Sequence, residues 1–87
     1  MTAETLDLRR RRAQFRAAHR GTKEMDWLVG RYADATLSAM GEAEMTIFEQ
    51  FLNLPDPDLQ DWILNPAALA HSEFGPLVAD LRAFHGL

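Results

Sequence analysis

The sequence predicts an all-α protein, a small five-helix bundle in a single domain. Three observations lead there. Apolar residues recur at i, i+3, i+4 and i+7, and no segment alternates with period two. Gly21, Gly41, Pro55, Pro57, Pro66 and Gly86 cut the chain into pieces of helical length. And 87 residues, 47% of them hydrophobic and 25% charged, suffice for one modest core. The domain is read as residues 1–87, with a core over 9–85 and residues 1–8 a candidate for disorder.

The first helix is expected from about Leu6 to His19. Leu8, Arg11, Arg12, Phe15 and Ala18 share its stripe, so its apolar face is thin and it depends on docking. Gly21 stands just past it, where a left-handed residue would end a helix. The second helix starts near Thr22 or Lys23. Met25, Leu28, Val29, Tyr32, Ala33, Thr36, Leu37 and Met40 give the strongest helical periodicity in the chain; Gly30 and Trp27 lie off that stripe. Beyond Gly41, Glu42 and Glu44 suit the positive end of a third helix, with Ile47, Phe48, Phe51 and Leu52 as its core face. Asp56-Pro57-Asp58 then reads as the cap and first turn of a fourth helix, with Leu59, Trp62 and Ile63 inward. Asn65-Pro66 ends it, and residues 66–73 read as a loop. A fifth helix runs from about Phe74 to His85, with Leu77, Val78, Leu81 and Phe84 inward. Met25, Met40 and Met45 read as gap-fillers.

Composition excludes several classes of chemistry. There is no cysteine, hence no disulfide framework, thiolate metal site or thiol nucleophile. His19, His71 and His85 have no ligand spacing, and Ser38 and Ser72 have no nucleophile elbow. No glycine-rich loop resembles a phosphate cradle, and capping accounts for the acids at 56 and 58. We therefore expect no catalytic residue, no metal and no enzyme activity. No apolar run is long enough to span a bilayer, and residues 1–7 lack the apolar core of a signal peptide. The simplest expectation is a bacterial cytoplasmic protein, or a mitochondrial matrix protein if the source is eukaryotic.

The net charge of −4 hides a dipole. Residues 1–23 hold seven cations against two acids and carry +5; residues 24–87 hold two cations against eleven acids and carry −9. Arg9, Arg10, Arg11 and Arg12 invite a nucleic-acid reading, but no second basic helix supports it and no nucleic-acid partner is expected. Contact with an anionic membrane through the same arginines would rest on the thin anchors Leu8 and Phe15.

The corner between the first two helices is denser. Arg20, Gly21, Lys23, Glu24 and Asp26 crowd into one turn. Helix punctuation accounts for it, with an exposed pair of Arg20 and Glu24 adding under ~1 kcal/mol. A glycine without Cβ also admits another backbone, while Arg20 and Glu24 offer a guanidinium and a carboxylate to a partner.

Arg20-Gly21-x-x-Glu24 matches the RGxxE signature of the SdhE-like family, the flavinylation factors of succinate dehydrogenase. Asp56-Pro57-Asp58-Leu59-x-x-Trp62 resembles that family's DxDLxxW segment. The resemblance spans roughly residues 9–85; His19 departs from it, since many relatives carry a second arginine before the glycine. It implies a five-helix protein that binds the flavoprotein subunit of succinate dehydrogenase, and fumarate reductase as a second candidate, and promotes covalent attachment of FAD. It implies no stably bound cofactor of its own, no membrane insertion and a free monomer. Carried over by position, Arg20, Gly21 and Glu24 are the partner-binding motif, Asp26 is a neighbour in the contact, and Trp27, Arg31 and Tyr32 are weaker candidates.

Overall fold

The protein is described by a computed structural model over residues 5–65, 67 and 72–87. Among these residues it forms five α-helices and no strand: α1 (Leu6–Ala18), α2 (Lys23–Thr36), α3 (Glu42–Leu52), α4 (Asp56–Leu64) and α5 (Gly75–Phe84). The expected loop at 66–73 and His71 lie largely or wholly outside the described residues, as do residues 1–4 of the expected disordered start. Thr5 and the first turn of α1 are ordered, the Thr5 hydroxyl accepting the Leu8 amide at 3.2 Å as an N-cap.

The face α1 turns inward is not the expected one. Ala13 and Ala17 are buried, whereas Leu8 is 44% and Phe15 64% exposed. Small residues allow close approach. A Cβ on Gly30 of α2 would stand 3.1 Å from the Ala18 Cα, so α1 and α2 pack nearly backbone to backbone, and Gly30 serves that packing although it lies off the periodic stripe. Arginines then fasten α1 to α3 and the residues flanking it. Arg9 donates to Glu49 Oε1 at 2.7 Å, Arg10 to the Met40 carbonyl at 2.6 Å and Arg16 to Asn53 Oδ1 at 2.5 Å. Part of the basic run is therefore directed into the protein.

The α2 stripe packs as its periodicity requires, with Met25, Val29, Tyr32 and Ala33 at most 3% exposed. The α-helix stops at Thr36, whose hydroxyl donates back to the Tyr32 carbonyl at 2.7 Å, and a 3₁₀ turn (Leu37–Ala39) carries Leu37 and Met40 into the core. Glu44 reaches back to accept the Gly41 amide and fixes the start of α3. Met45, Phe48, Phe51 and Leu52 are buried on α3, and Ile47, expected inside, is 36% exposed.

A line of rings crosses the core. Tyr32 meets Phe48 at 6.3 Å, Phe48 meets Phe51 at 6.3 Å, and Phe74 lies 5.9 Å from Phe51 and 6.0 Å from Trp62. Each buried phenylalanine adds about 1.5–3 kcal/mol through removal from water, and the ring pairs add somewhat more. Leu59 and Ile63 of α4 are fully buried, as is Leu81 of α5, with Val78 1% exposed beside it. Phe84, expected inside, is 45% exposed and stands edge-on to Tyr32 at 5.9 Å. Arg82 of α5 donates to the Ile63 carbonyl in the last turn of α4, and the Tyr32 hydroxyl donates to Asp80 Oδ2 at 2.6 Å. The radius of gyration, 12.5 Å, is that of one domain of this length, for which ~12 Å is expected.

Candidate functional site

The corner between α1 and α2 is built by residues far apart in sequence. Helix α1 leaves its path at His19 (φ −127°, ψ 59°), and α2 is capped by Thr22, whose hydroxyl accepts the Met25 amide at 3.2 Å. Between them, Asp26 reaches back to accept the Arg20 amide. The Arg20 side chain, only 10% exposed, turns inward and uses all three nitrogens: Nε donates to Asp56 Oδ1 at 2.6 Å, Nη1 to the Leu52 carbonyl at 2.7 Å and Nη2 to the Leu54 carbonyl at 2.8 Å. The second Asp56 oxygen accepts the Gly21 amide at 2.6 Å.

This geometry changes the reading of three residues. The Arg20 side chain is turned inward and does not pair with Glu24; its guanidinium satisfies the carbonyls that end α3 while Asp56 neutralises its charge. Asp56 is not the cap of α4. The helix begins one residue earlier than expected, with Pro55 at the cap position, and the Asp56 carboxylate faces the corner. Gly21 does not adopt left-handed backbone, since among the described residues only Gly86 has positive φ. The need for glycine at 21 is spatial: a Cβ there would stand 2.7 Å from Asp56 Oδ2. Helix C-caps are fitted by glycine's φ freedom, whereas here the requirement is the close approach of a carboxylate.

The outer side of the corner is left open. Gly21 and Glu24 are exposed. Trp27 is 51% exposed, its ring 4.5 Å from that of His85. His85 is held in turn, with Nε2 2.7 Å from the Leu28 carbonyl oxygen. Asp26, Trp27 and Arg31 line a shallow groove of about 230 Å³ between α1 and α2, with Gln14, Ala18, Gly30 and Asp34. So Asp26, Trp27 and Arg31 share one groove, while Gly21 and Glu24 are exposed at the turn and in the first turn of α2. Tyr32 is only 3% exposed and faces Asp80, away from this groove.

Sequence reasoning missed Asp56 and His85 as parts of the corner. The Asp56-Pro57-Asp58 signal had a complete local explanation, and a contact 36 residues away leaves no local trace. Among the described residues no three His, Asp or Glu side chains stand where they could hold a metal, and no helix is long and apolar enough to cross a membrane.

The family model described as "Flavinator of succinate dehydrogenase" matches residues 11–85. The chain belongs to that family. The match takes in both the corner and the segment that carries Asp56. The chain is similar to the FAD assembly factor SdhE of Acetobacter pasteurianus, 40% identical over 75 residues, which cover 86% of this chain and 69% of the relative. It is 33% identical over 63 residues to the FAD assembly factor SdhE of Coxiella burnetii, covering 72% and 77%. It is also 33% identical over 61 residues to the mitochondrial succinate dehydrogenase assembly factor 2 of Debaryomyces hansenii, covering 70% and 43%. As a member of this family it is an assembly factor and not an enzyme. No similarity supports the nucleic-acid alternative, and Arg9 and Arg10, among the arginines that suggested it, are bonded within the fold.

Proposed function

We propose that this flavinylation factor docks on the flavoprotein subunit of succinate dehydrogenase through the open side of the corner, with Gly21 and Glu24 at its centre and Asp26, Trp27 and Arg31 around them. The partner and its FAD carry the chemistry. The factor holds that subunit in the arrangement where its histidine faces the flavin 8α-methyl carbon, and alignment of this kind accelerates a reaction by several kcal/mol, on the order of 7–11 in the best cases, without an acid, a base or a metal from the helper. Fumarate reductase is a second flavoprotein of the same kind. The factor acts as a free monomer in the compartment where that subunit acquires FAD, the bacterial cytoplasm or the mitochondrial matrix, and retains no FAD itself.

One observation carries the reading. Arg20 and Asp56 immobilise a turn whose outward side is bare backbone at Gly21 beside an exposed carboxylate at Glu24. A preordered turn loses little entropy on binding, and an exposed tryptophan beside it is a favoured interface anchor. The test is complementation in a strain lacking the gene, reading covalent flavin fluorescence on the flavoprotein subunit in denaturing gels. Deletion lowers the fluorescence and the wild-type gene restores it. Glu24→Arg, at an exposed position, keeps the wild-type melting temperature and fails to restore it. Full restoration by Glu24→Arg removes the docking assignment.

A further inference from the structure

The first helix packs Leu6 against the core but carries its other two large apolar residues on the opposite side. Leu8 and Phe15 lie two turns apart on the outer face, 44% and 64% exposed, while the inner face beyond Leu6 is alanine. Phe15 is the most exposed large hydrophobic residue among those described, and it is not loosely placed. The His19 ring stacks on it with centroids 4.0 Å apart and planes 16° from parallel. The His19 Nδ1 lies 2.7 Å from the Phe15 carbonyl oxygen, to which its N–H donates, so the two rings form a fixed outward plate. Arg11 and Arg12 are exposed on the same side. The outer stripe of α1 thus sets Leu8 and the Phe15–His19 plate on either side of Arg11 and Arg12, and its aromatic end reaches His19, the residue before Arg20.

We infer that the Leu8, Phe15 and His19 stripe of α1 is a second contact on the same flavoprotein subunit, seated on an acidic surface that has an apolar depression for the Phe15 ring. The inference rests on the docking reading above and extends it along α1. Two observations select this occupant. The stripe is continuous with the corner, so a partner covering Gly21 and Glu24 meets His19 and then Phe15. And the exposed Arg11 and Arg12 on this face suit an acidic counterpart, which the rim of an interface uses for orientation and encounter rate. A lipid surface is the weaker fit, because two outward side chains insert too little apolar area to hold a helix in a membrane.

The experiment measures affinity of the purified flavoprotein subunit for immobilised full-length factor: wild type, Phe15→Ala, Arg11→Glu and Glu24→Arg, with thermal melts of each. Phe15→Ala lowers affinity about tenfold with an unchanged melt, as expected for an exposed aromatic anchor. Arg11→Glu slows association and flattens its dependence on salt. Wild-type affinity in both variants, while Glu24→Arg binds weakly, overturns the stripe and leaves the corner standing. Wild-type affinity in all three overturns the docking reading itself. Co-sedimentation with vesicles of phosphatidylcholine and phosphatidylglycerol in equal parts supplies the last arm. Loss of vesicle binding in Phe15→Ala with unchanged flavoprotein affinity assigns the stripe to lipid and overturns the inference.

Discussion

Replacing Asp56 by alanine separates two roles that the sequence alone confounds. If Asp56 only begins α4, its loss removes a first-turn charge, about 0.3–1 kcal/mol. The structure demands more. The substitution deletes two charge-assisted bonds of 2.6 Å and leaves the Arg20 guanidinium, 10% exposed, without its counter-charge. Removing one partner of a fully buried ion pair costs about 3–5 kcal/mol. Asp56 is 18% exposed and Arg20 keeps two carbonyl acceptors, so about 2–3 kcal/mol is the appropriate figure here. For a domain of this size each kcal/mol moves the melting midpoint by about 4–8 °C, which puts the drop on the order of 10–20 °C. Thermal and urea unfolding followed by circular dichroism measure it, with Asp58→Ala as the control, since Asp58 is exposed in the same first turn. If the two variants melt together, Asp56 is a helix-start residue and the account of the corner is wrong.

Other substitutions test other contacts. Gly30→Ala gains up to ~1 kcal/mol of helix propensity but drives a Cβ to 3.1 Å from the Ala18 Cα, where backbone must yield; a lower urea midpoint is expected, and a higher one refutes the tight approach of α1 and α2. Tyr32 is the only tyrosine, so tyrosinate absorbance reports it alone. Burial, then its bond to Asp80, push its pKa above the ordinary range. The stability tied to that shift is complete below the unfolded tyrosine pKa and is lost as pH rises past it. Asp80→Asn shifts the titration back down, and an unmoved titration excludes the bond. The Glu49 carboxyl lies below its usual range, chiefly because it accepts from Arg9. Its contribution is present above the unfolded glutamate pKa and fades as pH falls through the folded one. The stability gap between wild type and Arg9→Gln, under ~1 kcal/mol for a pair this exposed, therefore closes in acid; a gap constant with pH counts against it.

Much of the fold was legible because the signals were local. The α2 stripe from Met25 to Ala33 has one apolar side, so burial had no competing choice. The helix ends were marked by Thr22, Gly41 and the prolines at 55 and 57, where capping chemistry acts within a turn. The orientation of α1 was not legible. Its sequence offers a stripe of Leu8 and Phe15 and a narrower one of Ala13 and Ala17, and size alone favours the first. What decides is the small residue facing it, Gly30, which rewards the thinner side by letting the helices nearly touch. The site shows the same division. Gly21 and Glu24 were marked by their own neighbourhood, and the structure places them outward. The direction of Arg20 depended on carbonyls at Leu52 and Leu54, and no side-chain pattern announces a carbonyl.

The way α1 is attached bears on how the protein opens. Beyond Leu6 in its first turn, the alanines of α1 give little area to hold a helix, so much of its fastening falls to guanidinium groups at Arg9, Arg10, Arg16 and Arg20, spread along its length and just past its end. Directional bonds of this kind fail together once a helix lifts, whereas the ring-filled layer of α2, α3 and α5 does not depend on them. Amide exchange should therefore find α1 detaching as one cooperative unit at lower free energy than the rest, so that the element leading into the corner is also the earliest to come away.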